Sequence, residues 1–153
     1  METPVLIIGI GNDYCGDDAA GLAVIRALAT RQIENVQLME CNGNCTTLLE
    51  AWKCVNTVIL VDAAISGARA GTITRFDVRT QPLPARYALS STHALGIAET
   101  LALAQVLGQL PPCLIVYGIE GKNFNSGENL SPAVRKAIRV VVEQVVLDIR
   151  RSF

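Results

Sequence analysis

Two adjacent carboxylates, one isolated aspartate and a single histidine are the side chains here whose types suit metal chemistry. They are Asp17, Asp18, Asp62 and His93, and the last is the only imidazole among 153 residues. Two carboxylates and one imidazole suit a borderline divalent transition-metal ion better than calcium or magnesium, and they leave coordination positions open for outside ligands. The sequence therefore predicts an incomplete metal-contacting site, provided that the fold brings these side chains together.

Each of these side chains also has an ordinary structural explanation. An aspartate at a helix start can cap the helix and compensate its dipole, which contributes about 1 kcal/mol. Asp62 could be a solvated strand end, and His93 could be a surface residue at a helix start. Two adjacent acids are more than one cap needs, however, and strand ends are where α/β proteins place functional groups. We therefore expect one of Asp17 and Asp18 to be structural and the other to lie with Asp62.

Familiar hydrolytic motifs do not occur in the sequence. One histidine cannot build a His-Glu-x-x-His zinc site, and there is no Gly-x-Ser-x-Gly segment. His93 and Asp62 could complete a Ser–His–Asp triad with a nearby serine. The available serines, Ser90 and Ser91, lie within three residues of the histidine and no strained turn exposes either one, so this triad is disfavoured.

The cysteines offer a second kind of metal site. There are five of them, and an odd count without a segment that resembles an export signal indicates free thiols. Three follow the first two predicted strands and could form a thiol-rich zinc site with His93: Cys15, Cys41 and Cys45. The alternative is that these cysteines are small core or loop residues.

The first loop half-matches a dinucleotide-binding fingerprint. A strand leads into Gly9-x-Gly11, a helix follows, and Glu40 ends the second predicted strand. Tyr14 occupies the place of the third glycine. Three carboxylates crowd the position of a pyrophosphate: Asp13, Asp17 and Asp18. They would repel a phosphate, so a nucleotide-binding module is the weaker alternative.

Strands and helices alternate along the chain. The apolar patterns predict strands at Val5–Ile10, Val36–Glu40, Thr57–Val61, Thr72–Val78 and Leu114–Gly118. They predict helices at Ala19–Ala29, Thr46–Trp52, Thr92–Leu107 and from Pro132 to about Arg150. This alternation predicts a three-layer α/β/α sandwich around a mostly parallel, mixed five-stranded sheet, with the fourth strand at an edge or antiparallel.

Composition limits the possible partners. The chain has the length of one domain, half of its residues are hydrophobic, and its net charge is −1. No basic stripe is present, so we expect no nucleic-acid partner. The first apolar run has six residues, too few for a membrane span or a signal peptide. We expect a single domain over residues 1–153, located in the cytoplasm and not in a membrane.

Four segments carry a resemblance to a known family. They are Val5–Asn12 with Gly16-Asp17-Asp18-x-x-Gly21, then Val58–Ala63, then Ser91–Gly96, and finally Gly118-Ile119-Glu120 with Leu130–Val134. Together they resemble the first loop, the Asp-ended strand, the S/T-x-H segment and the last strand and helix of the nickel–iron hydrogenase maturation endopeptidases. The match covers the whole chain with its elements in order, which makes it specific.

The resemblance implies a function and a site. Such enzymes remove a short C-terminal extension from the precursor of the hydrogenase large subunit after nickel has been inserted. The family's metal-contacting and catalytic positions correspond to Asp18, Asp62 and His93. Nickel would arrive with the substrate, so no tightly bound cofactor is expected. The fold would be phosphorylase/hydrolase-like, and the enzyme a monomer acting on a larger protein.

Two departures from the family pattern leave questions open. The first-loop ligand is a glutamate or an aspartate in the family, and the shorter side chain here keeps Asp17 open as the ligand. The stretch Glu40–Cys45 differs from the usual Asp-Gly-Gly type of loop, which affects the expected substrate groove. A non-catalytic scaffold that binds the nickel-loaded precursor stays open as a further alternative.

Overall fold

The computed structural model describes residues 4–81 and 97–151. Five strands form one sheet in the order β2-β1-β3-β5-β4. The strands are β1 (Val5–Ile10), β2 (Val36–Cys41), β3 (Thr57–Ala64), β4 (Ile73–Asp77) and β5 (Cys113–Glu120). Strands β2, β1, β3 and β5 run parallel, and β4 pairs antiparallel with β5 at the edge. The prediction of a mixed five-stranded sheet is therefore confirmed.

Four α-helices cover the two faces of this sheet. They are α1 (Ala20–Ala29), α2 (Cys45–Ala51), α3 (Ile97–Val106) and α4 (Pro132–Arg151), and a 3-10 turn (Gly16–Ala19) precedes α1. The side chain of Asn44 caps α2 by accepting a hydrogen bond from the Thr47 N–H at 3.2 Å. Within the described residues, no helix combines the length and the apolar character needed to cross a bilayer.

Side chains along β1 alternate between two apolar cores, which creates the three layers. Ile7 packs with residues of α1 and α4, whereas Leu6 and Ile8 pack with residues of α2 and α3 on the other face. All three are at most 2% exposed. Each such side chain contributes about 1.5–3 kcal/mol relative to an exposed one. The α/β/α sandwich follows from this strand being apolar on both faces.

Strands β3 and β5 are longer than the sequence predicts. Asp62 was expected to follow the end of β3, but it lies inside the strand, which continues to Ala64. The pairing of β3 with β5 persists to the register pair Ala64 and Glu120, and this pairing holds the polar ends in extended conformation. Asp62 is therefore fixed by strand hydrogen bonding instead of lying in a loop.

The helix predicted at Thr92–Leu107 is described from Ile97 to Val106, and its predicted first turn at residues 92–96 lies outside the described residues. The first helix begins one residue later than expected, at Ala20, because the 3-10 turn precedes it. The predicted start of the last helix at Pro132 is confirmed.

A polar cluster, buried at Tyr117 and Asp148 and exposed at Arg75, joins β4, β5 and α4. Asp148 accepts hydrogen bonds from the Tyr117 hydroxyl and from the Arg75 guanidinium, the latter at 2.7 Å and 3.2 Å. Burial and the contact with Asp148 raise the pKa of Tyr117 above its ordinary value. This cluster gives the edge strand a polar attachment to the last helix.

Candidate active site

Four buried carboxylates lie where the parallel strands end. Asp17 and Asp18 are in the 3-10 turn after β1, Asp62 is near the end of β3, and Glu120 ends β5. Each is at most 7% exposed. Carboxyl ends of neighbouring parallel strands meet at one edge of a sheet, so this edge concentrates negative charge. We call it the carboxylate rim.

Asp17 is a structural anchor within this rim. Its carboxylate accepts hydrogen bonds from the Lys122 N–H at 2.7 Å, the Asn123 N–H at 3.0 Å, and the Ser131 N–H and hydroxyl at 2.7 Å and 2.9 Å. Burial alone would raise the pKa of Asp17, but these donors outweigh it and hold the pKa below its ordinary value. Asp17 therefore fastens the first loop to the segment between β5 and α4.

Glu120 anchors a second loop in the same manner. Its carboxylate accepts hydrogen bonds from the Ser66 N–H at 2.8 Å, the Ser66 hydroxyl at 2.9 Å and the Gly67 N–H at 3.0 Å. Gly67 has a φ of +85°, a conformation that favours glycine. The loop from β3 to β4 thus turns around this side chain, which makes Glu120 a structural residue.

Asp62 is in a different environment. Its carboxyl group accepts a hydrogen bond from the N–H of its own neighbour, Ala63, at 2.8 Å. Burial raises its pKa well above the ordinary value, and the nearby charge of Asp18 raises it further. Two buried carboxylates that repel each other are favourable for binding a cation, because a cation removes both the repulsion and the cost of burial.

The first loop brings Asp18 back against the end of β1. The Asp18 carbonyl accepts the Asn12 N–H at 3.3 Å, and a side chain at Gly11 would place its Cβ 2.0 Å from that carbonyl oxygen. Glycine is therefore required at position 11 for the close packing of the 3-10 turn. This packing holds Asp18 beside β1 and its neighbour β3.

The same contacts contradict the nucleotide-binding interpretation. The N–H groups that would cradle a phosphate already donate to protein carbonyls: Gly11 to Cys41 at 3.0 Å and Asn12 to Asp18. Glu40, the acid that ends the second predicted strand in that fingerprint, accepts a hydrogen bond from Arg26 at 2.7 Å. The glycines of the first loop serve close packing.

The remaining predicted site residues have different outcomes. His93, Ser90 and Ser91 lie outside the described residues. Among residues 4–81 and 97–151, no group of three or more histidine, cysteine or acidic side chains is placed to hold a metal ion. A three-thiol arrangement of Cys15, Cys41 and Cys45 is therefore not formed. Cys41 instead ends β2 as a buried core residue, and its thiol accepts a hydrogen bond from the Gly43 N–H at 3.3 Å.

Sequence reasoning missed the roles of Glu120 and of the segment between β5 and α4. Asp17 and Ser131 are separated by 114 positions, so no local pattern connects them. The available signal was the predicted start of the last helix at Pro132, which marks the preceding Ser131 as a polar residue at a helix start. Phe124 in the same segment lines a cavity of about 410 Å³ beside Asp18.

Known proteins match this chain over almost its whole length. A model of the hydrogenase maturation protease family matches residues 22–148. The hydrogenase 2 maturation protease of Escherichia coli is 28% identical over 152 residues, which cover 97% of this chain and 92% of that protein. The hydrogenase expression/formation protein HupD of Thiocapsa roseopersicina is 27% identical over 148 residues, with 95% of this chain and 67% of that protein covered.

Solved structures agree with this assignment. The hydrogenase maturating endopeptidase HybD from Escherichia coli superposes with a TM-score of 0.83 at 27% identity, covering 97% of this chain and 93% of that one. The hydrogenase maturation protease HybD from Thermococcus kodakarensis has a TM-score of 0.71 at 24% identity and shows the shared fold, with 93% of this chain and 96% of that one covered. Since the family model spans far more than half of the residues, the chain belongs to the hydrogenase maturation protease family and is a peptide hydrolase.

Proposed function

We propose that this enzyme removes the C-terminal extension from the large-subunit precursor of a nickel–iron hydrogenase after nickel insertion. Asp18, Asp62 and His93 contact the nickel that the precursor carries. The observation that supports this proposal most directly is the pairing of the buried Asp18 and Asp62 at the carboxylate rim of a hydrogenase maturation protease. The enzyme acts in the cytoplasm as a single-domain monomer.

The charge balance of this pair explains why a metal on the substrate would be bound. Burial and the charge of Asp18 hold Asp62 toward its protonated form in the free enzyme. A divalent ion reverses this preference, because its positive charge favours both carboxylates in their ionised form. Binding of the nickel-loaded precursor therefore relieves the repulsion between the two carboxylates, whereas a nickel-free precursor leaves this repulsion in place. This difference would make the enzyme selective for the loaded substrate.

The site is suited to complete the coordination of a metal that already has ligands. Two carboxylates and one imidazole occupy fewer positions than nickel can use, and the rest would be filled by thiolates of the precursor. Fixing the metal at the rim also fixes the adjoining peptide, which supplies the proximity that hydrolysis needs. Hydrolysis forms a C–O bond to water, breaks the peptide C–N bond and moves a proton to the leaving amine. The ionised carboxylates and His93 are the groups that could accept that proton from water.

The test compares two substrates that differ only in nickel. Purified enzyme is mixed with nickel-loaded and nickel-free large-subunit precursor, and mass spectrometry follows the loss of the C-terminal extension. We expect cleavage of the loaded precursor alone, and we expect His93→Ala to abolish it. Equal cleavage of both precursors would contradict the recognition of nickel. Tight binding without any cleavage would contradict the proposed endopeptidase activity and favour a scaffold.

A further inference from the structure

Two loops beside Asp18 are joined into one wall. The Asp17 N–H donates to the Asn123 carbonyl at 2.7 Å, and the Gly127 N–H donates to the Tyr14 carbonyl at 2.7 Å. A side chain at Gly16, where φ is +58°, would place its Cβ 2.3 Å from the Asn123 oxygen. Together with the anchoring of the Asp17 carboxylate, these contacts fix the first loop against the segment between β5 and α4.

This wall borders the cavity of about 410 Å³ that reaches Asp18. The volume lies within the range of about 300–1,000 Å³ that is usual for ligand pockets. Its apolar lining comes from both loops and from α1: Tyr14, Phe124 and Leu22. Tyr14 is 77% exposed, which is unusual for a large aromatic side chain on a fixed loop and is typical of a surface that becomes covered on binding.

The acidic and amide side chains next to the cavity are already engaged within the protein. Asp13 accepts two hydrogen bonds from Arg26, at 2.8 Å and 2.7 Å. The Asn12 side-chain oxygen accepts the Tyr14 N–H at 2.9 Å, and the Asn42 oxygen accepts the Asn44 N–H at 3.1 Å. Their remaining amide N–H groups can donate to a peptide carbonyl. The lining therefore suits an apolar side chain attached to a peptide backbone.

We propose that this cavity is a subsite for one bulky apolar side chain of the precursor, located close to the scissile peptide bond. Tyr14 and Phe124 select that side chain. The inference rests on the proposed function, because the cavity shares Asp18 with the site that contacts the substrate's nickel. The occupant is part of the precursor because the cavity is continuous with that site. An acidic side chain in the same position would lose hydration against the two aromatic rings and would be repelled by Asp18, which also lines the cavity.

The test measures kcat and KM for nickel-loaded precursor with Tyr14→Ala and Phe124→Ala. Loss of an apolar contact in a specificity pocket reduces kcat/KM by about tenfold or more. We expect this loss to fall mainly on KM, because these side chains do not touch the reacting atoms. Tyr14→Phe keeps the ring and recovers most of the loss. Val106→Ala, which truncates an 83% exposed apolar residue of α3 that does not line this cavity, is the matched control with unchanged kcat and KM.

A second measurement identifies the side chain of the precursor that enters the cavity. It also uses the wild-type enzyme, so poor folding of an enzyme variant cannot explain the whole result. Bulky apolar residues around the cut in the precursor are replaced by alanine one at a time. One of these replacements should lower kcat/KM of the wild-type enzyme about tenfold. The same replacement should lower kcat/KM of Tyr14→Ala little further, as expected for two partners in one contact. The proposed subsite is wrong if every replacement acts equally on the wild-type enzyme and on Tyr14→Ala. It is also wrong if KM is unchanged in both Tyr14→Ala and Phe124→Ala. Failure of the unchanged enzyme to cut its precursor would instead contradict the proposed function.

Discussion

The carboxylate rim contains two kinds of buried acid that differ in the donors they receive. Asp17 accepts four hydrogen bonds from Lys122, Asn123 and Ser131, at 2.7–3.0 Å. Asp62 accepts its hydrogen bond from its own neighbour in the chain and is repelled by Asp18. Both side chains are buried, so burial does not distinguish them. Within residues 4–81 and 97–151, the number of hydrogen-bond donors and the neighbouring charge distinguish these two carboxylates.

At this end of the sheet, the difference separates an acid that anchors loops from the acids that we propose contact nickel. A carboxylate surrounded by N–H and O–H donors is stable in its ionised form and holds loops in place. A buried carboxylate repelled by a second one is unfavourable for folding in its ionised form until a cation or a proton binds. Asp17 is of the first kind, and Asp62, which the charge of Asp18 repels, is of the second. Natural proteins tolerate such a cost mainly at functional sites.

The largest expected effect is on activity. Asp62→Asn and Asp18→Asn each remove a charge from the proposed nickel contact and should reduce processing of nickel-loaded precursor by about 10³-fold or more. Cleavage is followed by mass spectrometry, and circular dichroism checks the fold. Asp77→Asn is the matched control. Because β4 runs antiparallel, Asp77 pairs with Ile115 near the start of β5, at the end of the strands opposite the carboxylate rim.

The same experiment decides between the two adjacent acids of the first loop. If Asp17→Asn folds normally but is inactive while Asp18→Asn is active, the nickel contact is assigned to the wrong residue. The division between a structural Asp17 and a nickel-contacting Asp18 would then be wrong.

A second prediction concerns stability. Asp17→Ala leaves the N–H groups of Lys122, Asn123 and Ser131 without their acceptor, so we expect the free energy of unfolding to fall by about 3–5 kcal/mol. Urea unfolding measures this loss. Asp18→Ala also removes the charge that repels Asp62, and this relief should offset part of any loss, so we expect a smaller destabilisation than for Asp17→Ala. Equal losses in the two variants would show that these adjacent acids have the same structural role.

The smallest expected effects are opposite pH dependences. The folded pKa of Asp62 is raised above 3.8, so its contribution to stability is present below that value and is lost as pH rises through the raised pKa. Asp62→Asn should therefore be more stable than the unchanged protein at neutral pH, with the advantage shrinking in acid. This would be measured by urea unfolding between about pH 3 and pH 8.

Asp17 should show the reverse behaviour. Its folded pKa lies below 3.8, so its contribution is present above that value and is lost as pH falls through the lowered pKa. Asp17→Asn should be less stable than the unchanged protein at neutral pH, and the two should converge in acid. If the stability of the Asp17 and Asp62 variants, relative to the wild-type protein, changed with pH in the same direction, the opposite pKa shifts of these two residues would be contradicted.

The sequence alone determined the layers of the fold and the end of the sheet at which the carboxylate rim lies. Apolar runs such as Val5–Ile10 and Val58–Val61 predict central strands buried on both faces, because side chains alternate along a strand. Ser131-Pro132 predicts the start of the last helix through local backbone chemistry. These signals extend over a few neighbouring residues, which is why they can be read without the tertiary structure. The function was predicted through the resemblance carried by such segments.

Only the tertiary structure decided how Asp17 and Asp18 differ. The two residues are identical in type and adjacent, so composition and spacing cannot distinguish them. The donors that hold Asp17 come from the segment between β5 and α4, more than 100 positions away, and the repulsion by Asp18 reaches Asp62 across the sheet edge. Hydrogen bonding and charge act through space, and the fold determines which distant groups meet each carboxylate.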